Sequence, residues 1–222
     1  MVEVPARAQL SPPAPRPAQV GATFPAGWVL AELSPRLVLE QRWTDDLFRR
    51  AVVPLGPLLL GAFLVAVTRE ADWGVQLAVA PLGVLLLGVA LLGGLNFRRA
   101  LRRKRDGVRL AIEPTAVTGY PEARGWLSDY FVTLRQVPRT RVSAVTLTVY
   151  RDPKRGTVAR AKLHVELAGG AALVGPEASG PDLEWPAVRD AVLPAAAEVA
   201  RALGLKLTLA YPWCEQRVEV SW

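Results

Sequence analysis

Two uncharged apolar runs constrain this chain more than anything else in it. The first, AVVPLGPLLLGAFLVAV from Ala51 to Val67, has 17 residues, and the second, VQLAVAPLGVLLLGVALLGGL from Val75 to Leu95, has 21. As helices they would be roughly 26 and 32 Å long, near the hydrocarbon thickness of a bilayer. Between them TREADWG carries Arg69, Glu70 and Asp72 and reads as a polar turn. A helix that is apolar all round belongs either in a deep core or in lipid. A chain of 222 residues has little else with which to bury two such helices. Pro54, Pro57 and Pro81 would each disturb a soluble core helix, whereas membrane helices tolerate Pro and Gly more readily. The pattern predicts a transmembrane helical hairpin. Gly83, Gly88, Gly93 and Gly94 would let its helices approach closely, but their spacing is not a GxxxG dimerisation signal.

The formal net charge is +7. Much of it flanks the apolar runs: Arg42, Arg49 and Arg50 before the first, then Arg98, Arg99, Arg102, Arg103, Lys104 and Arg105 after the second. The intervening turn has only Arg69. Basic residues in short flanks stay on the cytoplasmic side, so both termini are expected in the cytoplasm and Thr68–Gly74 outside. That topology accounts for the basic runs without nucleic acid. It is compatible with anionic headgroups, at about 1 kcal/mol per basic residue near the surface. Trp43 and Trp73 would sit at the two bilayer interfaces. The excess of Arg over Lys, with abundant Ala, Pro and Gly, fits a GC-rich bacterial genome, hence the bacterial inner membrane. No cleavable signal peptide is expected, because the residues before Ala51 are polar or proline-rich and the first apolar run is long and late.

Five segments are expected. Residues 1–27, with SPPAPRPAQVGATFP, read as a disordered proline-rich tail. Residues 28–44 read as a short strand and interface segment, with Leu37 and Leu39 on one side. Residues 45–106 form the hairpin, starting near Asp45, and continue as a basic stalk through NFRRALRRKRDG. Residues 107–210 form a cytoplasmic domain, and 211–222 a tail or edge strand.

Within that domain VRLAI, TAVTG, YFVTLRQV, RVSAVTLTVY, ARAKLHVELA and AALVG read as strands. Gly169-Gly170 is a two-residue hairpin signal. Val145, Leu147 and Val149 share one face, as do Leu163, Val165 and Leu167. Lys162, His164 and Glu166 fall on the other face, which predicts antiparallel sheet with one side on a core and one in water. One helix follows, with Asp182 as N-cap, Pro186 in the first turn, an apolar stripe of Val188, Val192, Ala195, Ala196, Val199 and Leu203, and Gly204 as C-cap. Pro194 should kink or split it.

No catalytic constellation is legible. His164, the one histidine, reads as an exposed strand residue. Cys214, the one cysteine, excludes an internal disulfide and a cysteine-cluster metal site, and reads as a thiol filling a small gap. Glu113, Asp129, Asp152 and Asp182 fall in turns or caps. There is no phosphate-binding glycine loop, no metal-ligand spacing and no ionisable residue inside the apolar runs. No metal, cofactor or catalytic residue is assigned.

LVLEQRW before the hairpin, NFRRALRRKRDGVRLAIEP at the junction, VPRTRVSAVTLTVY, AKLHVELAGGAALVG and AAAEVARALGLKL together resemble a bacterial family. Its members carry a two-helix membrane hairpin and a pleckstrin-homology-like (PH-like) cytoplasmic domain. The layout is also similar, more distantly, to the photosystem I assembly factor of thylakoids. The resemblance implies a membrane-anchored α+β fold, with a PH-like antiparallel β domain closed by one C-terminal helix. The proline-rich head and WCEQRVEVSW depart from both patterns.

Three functions follow as expectations. The first is a non-enzymatic membrane protein whose domain docks a protein partner or membrane complex, as scaffold, assembly factor or accessory subunit. The second is an anionic-lipid headgroup sensor in which Arg109, Arg135, Arg139 and Arg141 join the basic stalk. The third, an enzyme built on backbone groups and scattered acids, would need a polar pocket with perturbed carboxylates.

Overall fold

Strict alternation builds two neighbouring ten-residue strands inside the sheet. In β7 (Val142–Arg151) Val145, Leu147 and Val149 are fully buried, as are Ala161, Leu163 and Val165 in β8 (Val158–Leu167). The computed structural model describes residues 12, 14–15, 17–41, 52, 54–69, 72–106, 108–122, 132–151 and 158–220. They fall into two units, one comprising 1–43, 108–125 and 132–222, the other 44–107 and 126–131.

The first unit is a mixed sheet with one helix. β1 (Thr23–Phe24), β2 (Trp28–Glu32) and β3 (Leu37–Gln41) precede the second unit in sequence. β4 (Val108–Ile112), β5 (Ala116–Pro121), β6 (Arg135–Pro138), β7, β8 and β9 (Ala172–Pro181) follow it. β10 (Leu207–Tyr211) and β11 (Gln216–Val220) come last, and the order across the sheet is β1-β2-β3-β4-β5-β9-β8-β7-β10-β11, with β6 beside β5. β5 changes partner along its length: Ala116–Gly119 face β6, and Tyr120 and Pro121 face β9.

The domain expected over 107–210 is therefore corrected. β3 pairs with β4 residue for residue, Leu39 opposite Leu110 and Gln41 opposite Val108, so the second unit is an insertion between paired strands. The strand expected within 28–44 is present as two, β2 and β3, and both lie in the domain core rather than at an interface: Trp28, Leu30, Leu37 and Leu39 are all buried there. The proline-rich tail is corrected over its described part as well. Phe24 is buried, Gly21 and Ala22 hydrogen-bond to Leu30, and the Ala18 N–H donates to Glu198 Oε1 at 3.0 Å. Local composition predicts disorder there, but docking on the sheet supplies the apolar contacts the segment lacks by itself.

β7 and β8 run antiparallel, with Thr146 opposite His164 and Thr148 opposite Lys162. The Gly169-Gly170 turn forms as expected, with φ of 101° and 79°. β9, however, continues beyond AALVG to Pro181. Lys162 faces Glu177 and His164 faces Val174, so Gly175 and Pro176 together oppose Leu163. This is a bulge, a place in a strand where a residue without an N–H does no harm. A Cβ on Gly175 would lie 2.8 Å from Leu163 Cδ2, so only glycine fits.

The helix, α3, spans Trp185–Leu203, and its six predicted stripe residues are all buried. Asp182 opens a 3-10 turn, Asp182–Glu184, and Glu184 occupies the cap without a side-chain bond, which corrects the N-cap assignment. Pro194 does not split the helix; Leu193, Ala195 and Ala196 around it are buried, and that packing outweighs the one missing backbone bond. Gly204 adopts the left-handed conformation (φ 68°) and the Leu205 N–H donates to the Ala200 carbonyl at 2.9 Å, as in a glycine C-cap. By crossing β7–β9, α3 returns the chain in its earlier direction. β10 accordingly pairs parallel with β7, which corrects the all-antiparallel expectation. β11 then pairs antiparallel with β10, so the C-terminal segment is an edge strand.

The second unit contains α1 (Leu55–Thr68) and α2 (Trp73–Asp106), packed antiparallel. Small residues set their approach: a Cβ on Gly61 would sit 3.0 Å from the Gly83 carbonyl oxygen, and one on Gly83 2.9 Å from Val65 Cγ2. Gly93 lies against Pro54. α2 is long and apolar enough to cross a membrane over Trp73–Arg98, 26 residues of which only 11% of the most apolar window is buried. The expectation of two such helices is corrected among the described residues, where α1 has 14 residues, with Pro54 at its N-cap, and α2 alone is long enough. The expected start near Asp45 lies outside the described residues.

Candidate functional site

Alternation in β8 sends Lys162, His164 and Glu166 away from the core, against Thr146, Thr148 and Tyr150 of β7. Glu122, just past β5, closes one side because its N–H donates to the Ala172 carbonyl at 2.8 Å. Glu122, Thr148, Tyr150, Lys162, His164 and Glu166, with the Gly170–Ala172 turn, line an open groove of about 420 Å³. Lys162 Nζ lies 3.0 Å from Glu122 Oε1, His164 Nδ1 lies 3.6 Å from Glu122 Oε2, and the Thr146 hydroxyl donates to Glu166 Oε1 at 2.6 Å.

His164 is not the exposed residue that alternation predicts, since its side chain is only 13% exposed. Desolvation holds its pKa below the usual imidazole value; the Glu122 carboxylate opposes that shift and Lys162 adds to it. At neutral pH the imidazole is uncharged. The groove can hold a small polar group, but its hydroxyl, ammonium and carboxylates already bond to one another. Among the described residues no group of three or more His, Cys, Asp or Glu is placed to hold a metal ion.

A second cluster lies at the N-terminal end of α3. Trp185, Tyr211 and Trp213 pack edge to face with ring centroids 5.3–5.7 Å apart. Arg189, 4% exposed, places its guanidinium carbon 5.5 Å from the Trp185 ring centre. Its Nε donates to Asp190 Oδ1 at 2.7 Å and its Nη1 to the Tyr211 hydroxyl at 3.4 Å. Burial raises the Tyr211 pKa, against the Arg189 hydrogen bond and charge. Cys214 Sγ donates to the Tyr211 carbonyl at 3.6 Å and is half-buried, in keeping with a gap-filling thiol. The sequence signal for this cluster is present in EWP and YPWC, but only the β7–β10 pairing brings the two together.

The basic residues singled out from the sequence separate by role. Trp73 is the first residue of α2 and is exposed, and Arg98 is exposed further along the same helix. α2 continues without interruption through Arg99, Arg102, Arg103, Lys104 and Arg105. Arg42, Trp43, Arg49 and Arg50 lie outside the described residues. Arg109, Arg135 and Arg141 are exposed. Arg139 is half-buried and its Nη2 donates to the Ala202 carbonyl at 2.7 Å. It satisfies the C-terminal turn of α3, where a cation also complements the helix dipole. Comparison with protein-family models, with curated proteins and with solved structures finds no match.

Proposed function

We propose that the chain is a membrane-anchored, non-enzymatic docking protein. Its α2 helix, with the shorter α1 packed on it, holds the chain in the bacterial inner membrane, and its sheet-and-helix domain, a PH-like module in this reading, engages a protein partner or membrane complex on the cytoplasmic side. The observation that carries the anchor is the apolar surface of α2: Leu77, Val84, Leu85 and Leu91 are all exposed, and α1 leaves them uncovered among the described residues. Apolar area of that extent marks a surface covered by lipid or by another protein, and on a helix of this length and hydropathy we take that cover to be lipid. The non-enzymatic reading is supported by the groove, whose polar groups bond to each other.

The test uses the full chain in its own membrane. Resistance to alkaline extraction is expected, together with cleavage of the domain only when protease reaches the cytoplasmic face, and co-purification of a stoichiometric partner in mild detergent. Release into the alkaline supernatant would overturn the anchor; purification of the chain alone would overturn the docking role.

A second reading rests on the unbroken helix through the basic run after Arg98, with Arg109, Arg135 and Arg141 exposed on the domain. In it, anionic headgroups hold the domain at the bilayer. Reconstituted in nanodiscs, the domain should then lie closer to anionic than to neutral lipid, and salt should abolish the difference.

A further inference from the structure

The open edge of the sheet is written in a self-complementary code. β11 is the last strand in the sheet and, among the described residues, pairs only with β10. The other free edges are poor templates: β1 has two residues, and β6 has four and ends in Pro138. β11 reads Gln216-Arg217-Val218-Glu219-Val220. Arg217 and Glu219 are exposed on one face; Val220 is buried on the other, and Val218 is half-buried there against the core. Glu219 holds Lys206 at 2.8 Å, and Arg217 has no ion-pair partner among the described residues.

An edge strand invites another strand, and charges on it normally discourage pairing. Here their order decides which pairing is discouraged. A parallel copy in register would set Arg217 against Arg217 and Glu219 against Glu219. An antiparallel copy centred on position 217 or on 219 would likewise oppose like charges. An antiparallel copy centred on Val218 sets Arg217 against Glu219 of the second chain, twice by symmetry, and meets Val218 with Val218. A slip of one residue would put the apolar face on the solvent side.

We infer that β11 is a homodimerisation edge: two copies of this chain pair antiparallel about Val218, with Arg217–Glu219 ion pairs on the outer face and the two Val218 side chains closing the inner one. This interface does not depend on the membrane reading. It is isologous, as a two-fold dimer requires.

The experiment uses the full chain in detergent micelles, with Cys214 replaced by Ser. In V218C, the paired α-carbons of either antiparallel pair class fall within disulfide reach. Oxidation should therefore give a covalent dimer, while T208C, one strand inside, should give none. Dissociation constants are then measured by energy transfer between labelled chains. R217E alone and E219R alone should each weaken association roughly tenfold or more, since each reverses two cross-strand pairs. Mixing R217E chains with E219R chains opposes unlike charges at all four positions and should restore it. A chain that stays monomeric, a T208C dimer as strong as that of V218C, or no recovery on mixing would each overturn the inference.

Discussion

The buried guanidinium of Arg189 gives the sharpest quantitative test of how the α3 end of the domain is held. Arg189→Ala, Arg189→Met and Asp190→Asn separate packing from charge. Alanine removes a fully packed side chain and leaves a cavity beside Trp185, which costs about 2–5 kcal/mol for large core residues. It also takes one donor from the buried Tyr211 hydroxyl, a further ~1 kcal/mol. Asp190 adds little, because its carboxylate is 39% exposed and keeps water when its partner leaves. The expected loss for Arg189→Ala is therefore about 3–4 kcal/mol. Methionine keeps most of the volume and the contact with the Trp185 ring, and it relieves the cost of holding a guanidinium out of water. Its expected loss is about 1 kcal/mol. Asp190→Asn should cost on the order of 0.5 kcal/mol. Urea unfolding in mild detergent, followed by near-ultraviolet circular dichroism, reads all three, because Trp185, Tyr211 and Trp213 form one asymmetric cluster. Equal losses for Ala and Met would mean that polar contacts, not packing, hold this cluster, and the reasoning would be refuted.

His164, as the one histidine, gives one pair of imidazole C–H signals in a pH titration, and their midpoint should lie below the usual imidazole value. Glu122→Gln should lower it further, because the carboxylate is the largest group favouring the charged ring. Since the folded pKa is depressed, the neutral ring's contribution to stability is complete above the unfolded value of about 6.5 and is lost as pH falls through the folded value; His164→Gln should flatten that slope. Gly175→Val should cost about 1–3 kcal/mol in urea unfolding by forcing Leu163 aside at the bulge. In the helical pair, Gly61→Leu should lower the thermal midpoint in detergent, while Gly88→Leu, with open space around it, should leave it unchanged.

What could be read from the sequence is what local periodicity encodes. The apolar runs, the alternation in β7 and β8, the Gly169-Gly170 turn, the stripe of α3 and its glycine cap all depend on neighbours within a few residues. What could not be read depends on partners far along the chain. Leu39 meets Leu110 only because the whole second unit is inserted between them. His164 loses its water because Glu122 and the Gly170–Ala172 turn fold over it. GPEASGP has the composition of a loop, yet it is strand, because the bulge absorbs Gly175 and Pro176. Pro194 stays inside a helix because the surrounding side chains are buried. The segment before Phe24 has a tail's composition but finds Glu198 to dock on.

These long-range dependences bear on the docking proposal. Because β1–β3 and β4–β11 share one core, a fragment cut at the expected boundary of 107 would delete three strands and expose Leu110, Ile112 and Val117. Such a fragment would bind vesicles and proteins through its exposed core, and that binding would say nothing of the native chain. Splicing Gln41 to Val108 through a short polar turn is the better reagent, because those residues already lie opposite one another in an antiparallel pair. The spliced domain should be soluble, with near-ultraviolet dichroism like that of the full chain. If it is instead unfolded, the inserted unit contributes to the domain's stability, and the division of labour between anchor and docking lobe would have to be abandoned.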